Sequence, residues 1–126
     1  MTDISTAGFG ALLGLEEPIA GDGSARIELD ATDEHLNASG SVHGGALATL
    51  VDMAMGAAVR TRTEEGDVPA TTQLTVTYLR PGKTGRLVVT AQVRKQGEHL
   101  TVCEAAVEQD GRPLVHALAT FAVLHR

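Results

Sequence analysis

The sequence predicts an α+β domain: one long buried central helix wrapped by a curved antiparallel sheet of five to six strands. Two observations carry this. From His43 to about Thr61 there is almost no polar face, with Ala46, Leu47, Leu50, Val51, Met53, Ala54, Met55, Ala57, Ala58 and Val59 distributed around the axis. A helix apolar on all sides must be buried. The other observation is a set of segments with period-two alternation, the mark of strands with one buried face. One helix with no free side is covered most simply by one sheet curled around it.

The elements follow in order. Residues 5–15 predict a short, weak helix, interrupted by Gly8 and Gly10, within an N-terminal segment 1–20. In residues 24–30, Ala25, Ile27 and Leu29 alternate with Arg26, Glu28 and Asp30, a half-buried strand. Residues 31–42 are rich in Asp, Asn, Ser and Gly and predict a loop. The buried helix ends near Glu64-Glu65-Gly66-Asp67. Four strands are expected after it, over 70–80, 86–95, 99–108 and 113–124. Pro81-Gly82, Gln96-Gly97-Glu98 and Asp110-Gly111 punctuate the gaps and predict three consecutive antiparallel connections, a four-stranded meander. There is no repeat, low-complexity tract or linker, so residues 1–126 are expected to form one domain.

Composition narrows the function. The chain has 126 residues, 43% hydrophobic and 21% charged, and its aromatics are Phe9, Tyr78 and Phe121. So few stacking platforms argue against a nucleic-acid module. A single cysteine, Cys103, permits no internal disulfide or cysteine-only metal site and reads as a small buried residue of an alternating strand. The five histidines show no ligand spacing, so no metal is expected. Net charge is −6, unfavourable for nucleic acid or an anionic membrane. It divides unevenly. Residues 1–67 carry 12 acidic and 3 basic residues, net −9, and residues 68–126 carry 4 acidic and 7 basic, net +3. Arg80, Lys83, Arg86, Arg94 and Lys95 could therefore receive a small anion, or could be solvated strand-end charges. No apolar run reaches membrane-spanning length without a charge, and the start lacks a signal peptide's basic flank, so the expectation is a cytoplasmic protein.

Asp52 is the most informative residue, because the helix carries no other charge between His43 and Arg60. A carboxylate in an apolar setting is costly unless paired or hydrogen-bonded. At 100° per residue, Gly45, Thr49, Asp52 and Gly56 fall on one stripe of small residues. Such a stripe leaves room beside the carboxylate, and it equally permits close helix–helix packing. His43-Gly44-Gly45 opens the helix, where the first backbone N–H groups lack internal partners and carry partial positive charge. Glycines let a substrate oxygen approach them, the ingredients of an oxyanion hole. Asn37 in the preceding loop is, taken alone, a turn former.

Together these residues are more specific than any of them singly. Asn37-Ala38-Ser39-Gly40-Ser41-Val42-His43-Gly44-Gly45, followed by Leu50 and Asp52, resembles the hotdog-fold acyl-CoA thioesterases, and within them the phenylacetate-pathway (PaaI-type) branch. The resemblance extends through Tyr78-Leu79-Arg80-Pro81-Gly82, Lys95-Gln96-Gly97 and Ala117 to Val123, and so over roughly residues 25–124. It implies a hydrolase that cleaves acyl- or aryl-acyl-coenzyme A. Asp52 would be nucleophile or general base, and the Gly44 N–H would polarise the thioester carbonyl. Asn37 would orient the water or thioester, His43 would shape the helix start, and Thr71 would assist the attacking water. Gly45 would border the substrate, and Thr77, Tyr78, Arg80, Pro81, Gly82, Lys95, Gln96 and Gly97 would line the coenzyme A channel. No cofactor is implied, since coenzyme A arrives with the substrate.

Helix geometry adds an expectation about partners. Asp52 lies eight residues beyond Gly44, about 12 Å along one helix. One straight helix cannot bring both to one carbonyl, but two antiparallel helices across a two-fold axis can. The expected assembly is a homodimer with shared active sites, further paired into a homotetramer. The rival readings are an acyl-CoA-binding module without turnover, an enoyl-CoA hydratase on the same fold, for which no Asp–His pair stands at suitable spacing, and a purely structural domain, which leaves Asp52 unexplained.

Overall fold

The computed structural model describes residues 7–125. A short helix α1 (Gly8–Leu13) leads into β1 (Ile19–Gly21) and β2 (Ser24–Ala31). A 3-10 turn over Asp33–His35 precedes the long helix α2 (Gly44–Arg60), and then come β3 (Val68–Tyr78), β4 (Gly85–Gln96), β5 (Leu100–Gln109) and β6 (Arg112–Leu124). Residues 5 and 6 of the expected N-terminal helix lie outside the described residues. No helix among the described residues is long and apolar enough to cross a membrane.

Six strands form one antiparallel sheet in the order β1-β2-β4-β5-β6-β3. The expected four-stranded meander is therefore corrected. β4, β5 and β6 are consecutive, but β3 pairs with β6 at the far edge and not with β4. The connection after β3, read as a hairpin from Pro81-Gly82, instead runs past the β5–β6 turn. Leu79 and Arg80 N–H both donate to Leu114 O, while Lys83 N–H donates to Gln109 Oε1 (3.0 Å) and Gln109 Nε2 donates to Lys83 O (2.7 Å). A buried glutamine that satisfies both backbone groups of the crossover makes this route stable. The strand β1 is the element with no sequence signal, being three residues long and exposed throughout.

The alternation in β2 appears directly in its burial, with Ala25, Ile27, Leu29 and Ala31 turned inward. These residues join Leu87, Val89, Ala105, Val107, Ala117 and Phe121 in a core that receives Leu47, Leu50, Val51, Met55 and Val59 of α2. Each fully buried Leu or Met contributes about 2 kcal/mol. Only one side of α2 is covered in this way. Thr49, Asp52, Met53, Gly56, Ala57 and Arg60 remain half-buried, a face that the single chain leaves open.

Candidate active site

The N-terminal end of α2 is set by His43. Its backbone is extended (φ −57°, ψ 132°) and its Nδ1 accepts the Gly45 N–H at 2.8 Å. Gly45 is small for this reason: a Cβ there would stand 3.0 Å from that nitrogen. His43 O accepts from Ala46 and Leu47 N–H. The Gly44 N–H is thus the first-turn amide with no acceptor among the described residues. Tyr78 Oη donates to Gly44 O at 2.8 Å, fixing that peptide from the carbonyl side.

Asn37 shapes the approach to this end. Its Oδ1 accepts the N–H groups of Ser39 (2.9 Å) and Ser41 (3.1 Å), and its backbone pairs with Ser41 O and Gly40 N–H. The carbonyl half of the side chain is spent on the loop. The amide half donates to no described residue and remains exposed.

Asp52 lies in the middle of α2 and meets β3. Thr71 Oγ1 donates to Asp52 Oδ1 at 2.7 Å, while Oδ2 accepts from no described residue. This contact depends on a β-bulge. Leu74, Val76 and Tyr78 face the helix, so strict alternation would turn Thr71 outward with Gln73, Thr75 and Thr77. The register slips between Thr71 and Gln73, where Thr72 is the extra residue and bonds outward to Thr120. A bulge re-aims the side chain beside it, and here it brings Thr71 to the carboxylate. Thr49, one turn beyond Gly45 on the same face, donates to Gly45 O.

The residues expected along a coenzyme channel do not form one cluster in a single chain. Tyr78, Arg80, Pro81 and Gly82 lie at the N-terminal end of α2, where Gly82 O accepts the Val42 N–H and Arg80 Nη1 donates to Pro113 O (3.1 Å). Thr77 lies on the outer face, opposite His116. Lys95, Gln96 and Gly97 lie at the other end, where Gln96 Nε2 reaches Arg62 O. Gly97 is required by its turn, since a Cβ would sit 2.7 Å from Leu100 O. The 17 residues of α2 separate the two sets by about 25 Å.

Charge pairing divides the five candidate cations. Arg86 is consumed by Glu16, Glu28 and Asp30. Hydrogen bonds from Arg86 hold the Glu28 carboxyl below its usual range. Arg94 pairs with Glu104 at 3.0 Å, and Lys83 lies 3.9 Å from Asp110. Arg80 and Lys95 meet no carboxylate among the described residues within salt-bridge distance. Cys103 is fully buried, and burial pushes its thiol up to about 11, so it is no thiolate nucleophile. Among the described residues no three His, Cys, Asp or Glu side chains come together as a metal site.

Asp52 also stands on the floor of an open groove bounded by Phe9 of α1, Met53 and Arg60 of α2, and the loop 63–68. Sequence reasoning did not find these surroundings. They come from three separate segments, and no local spacing joins them.

Residues 39–116 match the family model described as the thioesterase superfamily. Acyl-coenzyme A thioesterase 13 of Homo sapiens is 40% identical over 82 residues, 64% of this chain; that stretch spans 58% of the human protein. Acyl-coenzyme A thioesterase PaaI of Escherichia coli is 33% identical over 75% of this chain and 66% of its own. A hypothetical thioesterase of Streptococcus pneumoniae, crystallised with coenzyme A, superposes with a TM-score of 0.77 at 29% identity, covering 84% of this chain and 85% of that one. The curved six-stranded sheet around one main helix is the hotdog fold, as in the solved structure from Streptococcus pneumoniae.

Proposed function

This chain belongs to the thioesterase superfamily, and from that premise we propose that it hydrolyses acyl- or aryl-acyl-coenzyme A to the free acid and coenzyme A. The observation that carries the reading is the Thr71–Asp52 hydrogen bond. It fixes one carboxylate oxygen and leaves the other without a partner among the described residues, on a residue that lines the groove. A water there can give a proton to Asp52 Oδ2 and a hydrogen bond to Thr71 Oγ1, and its oxygen can then attack the thioester carbon. Direct attack by Asp52 Oδ2 is the other route, through an anhydride that water cleaves. In either case the carbonyl oxygen gains negative charge, and the coenzyme thiolate leaves and takes up a proton.

The oxyanion needs a fixed donor, and the free Gly44 N–H at the positive end of α2 is suited to it. One such donor is worth about 3 kcal/mol. Gly44 and Asp52 of one chain are too far apart to share a carbonyl. In a homodimer with two antiparallel α2 helices, Asp52 of one protomer faces the start of its partner's helix. The same pairing brings Lys95–Gly97 of one protomer towards Arg80–Gly82 of the other, which supports a coenzyme channel built from both. The open face of α2 and the unpaired outer edge of β3 favour such an assembly, since a long bare edge strand is usually covered.

The test is release of free thiol from short, medium, long and aromatic acyl-CoA substrates. The wild-type chain is expected to turn over at least one of them. Asp52→Asn keeps shape but loses the base, and should lower kcat by at least about 100-fold with the fold retained by circular dichroism. Near-normal turnover by this variant would remove Asp52 from the chemistry.

A further inference from the structure

The groove beside Asp52 measures about 1100 Å3, and its chemistry changes along its length. Next to the carboxylate it is apolar. Met53 lines it beside Asp52, and so does Phe9 of α1, a residue 58% exposed. At the far end, after α2, it is acidic, and Glu64, Glu65 and Asp67 line it together with Arg60. Asp67 is held by His125 and by the Glu64 N–H, so Asp52, Glu64 and Glu65 are the carboxylates that share the groove with the one guanidinium of Arg60. Such a trough repels a polyanion and accepts a neutral apolar chain. The phosphates of a coenzyme must therefore leave by another route, towards the free Arg80 or Lys95.

The segment that carries Phe9 is also held in place. α1 opens on Gly8 (φ +55°) and is capped by Gly14 (φ +78°), two positions that favour glycine. Its C-terminal end is tied down by the bond between His35 Nε2 and Leu13 O (2.7 Å) and by the buried Leu15. An exposed aromatic ring on a segment anchored at one end can meet a ligand lying on Met53.

We propose that this groove holds the acyl arm of the thioester, that Phe9 and Met53 determine acyl specificity, and that the acidic far end rejects acyl groups ending in a carboxylate. This rests on the hydrolytic reading above and adds the substrate class: neutral, apolar acyl chains long enough to reach Phe9.

The experiment measures kcat/KM for acetyl-CoA, decanoyl-CoA and the coenzyme A half-thioester of decanedioic acid. It uses the wild-type chain, Phe9→Ala, and a double variant carrying Glu64→Gln and Glu65→Gln. In the wild type, decanoyl-CoA is expected to exceed the decanedioic half-thioester by at least about tenfold. The preference for decanoyl over acetyl should fall at least about tenfold in Phe9→Ala, the scale of lost hydrophobic pocket contact. The double variant should narrow the gap between decanoyl and decanedioic substrates. An unchanged decanoyl-to-acetyl ratio in Phe9→Ala overturns the proposal while leaving hydrolysis standing. Absence of thiol release from any thioester by the wild-type chain overturns the hydrolytic reading itself. If a second copy of the chain fills the groove instead, Phe9→Ala lowers all substrates by one factor and shifts the oligomeric state, and the proposal fails.

Discussion

At the N-terminal end of α2 the polar groups are nearly all paired within the chain, whereas at the C-terminal end they line an open groove. His43 N–H reaches His35 O, His43 Nδ1 takes the Gly45 N–H, Val42 N–H reaches Gly82 O and Tyr78 holds Gly44 O. One amide, that of Gly44, is left without an acceptor among the described residues. Towards the other end Asp52, Arg60, Glu64, Glu65 and Asp67 face a cavity. The difference matches two tasks. A donor for a developing oxyanion must be fixed before the reaction, because any reorganisation is paid at the transition state. A pocket for an acyl arm needs space instead. Neither end is a complete site by itself, and the homodimer proposed above would bring the two together.

The largest expected effect breaks this comparison directly. Two inactive variants are prepared, one Asp52→Asn and one combining Asn37→Ala with Gly44→Pro. Proline removes the free N–H, is tolerated at a first helical position, and suits the extended His43 before it. A Cβ at Gly44 would meet the Tyr78 ring at 3.4 Å, an ordinary contact. Each variant alone should retain about 1% activity or less. After subunit exchange half the dimers are mixed, and in each mixed dimer one site holds both lesions and the other none. Activity should return to about a quarter of the wild type. No recovery after exchange confirmed by mass spectrometry would mean that each site is built within one chain.

What the sequence revealed about these ends follows from the range of the signals. The helix was legible because its periodicity is local, and Asp52 because it is a lone charge in that pattern. Gly44 was marked by the His-Gly-Gly opening, but the separate use of Gly45 as the small partner of the His43 ring needs the rotamer. The position of β3 was not legible. Alternation says which face of a strand is buried and nothing about which strand lies beside it, so Pro81-Gly82 fits a hairpin and a crossover equally well. Thr71 shows the same limit at one residue. Its parity along β3 points it away from Asp52, and only the extra residue Thr72 reverses that. A bulge is a property of the ladder, not of composition.

A smaller effect sharpens the division between the ends. Arg80 stands at one end and Lys95 at the other, neither paired with a carboxylate among the described residues, while Arg86 and Arg94 are neutralised by neighbours. If the coenzyme runs between protomers, both Arg80→Ala and Lys95→Ala should raise KM for acyl-CoA about fivefold, the scale of one exposed charge pair. The increase should shrink for acyl-pantetheine, which lacks the nucleotide. Arg86→Ala serves as the comparison and should leave KM near its wild-type value. Equal increases with both thioesters would show that these cations act on something other than the phosphates.

The smallest effect is one of pH, and it separates the ends by their local stability. Asp67 closes the loop after α2, where its carboxylate accepts from His125 Nδ1 at 3.0 Å and from the Glu64 N–H at 3.2 Å. The hydrogen bond from His125, and then that from the Glu64 backbone, hold the Asp67 carboxyl below its ordinary value of 3.8. A carboxyl lowered in the folded state stabilises the fold fully above its unfolded value, and loses that contribution as pH falls through the lowered one. The loop 63–68 should therefore lose protection against amide exchange as pH falls from about 5, past the ordinary value and through the lowered one, after correction for intrinsic rates. Among the described residues no comparable carboxylate holds His43 to Leu47, so that segment should change less. His125→Ala removes the main cause of the lowered value, so its loop should start less protected and show a shallower acid dependence. An identical pH profile at both ends of α2 in the wild-type chain would show that the groove end is as firmly held as the oxyanion end, and the contrast between them would fail.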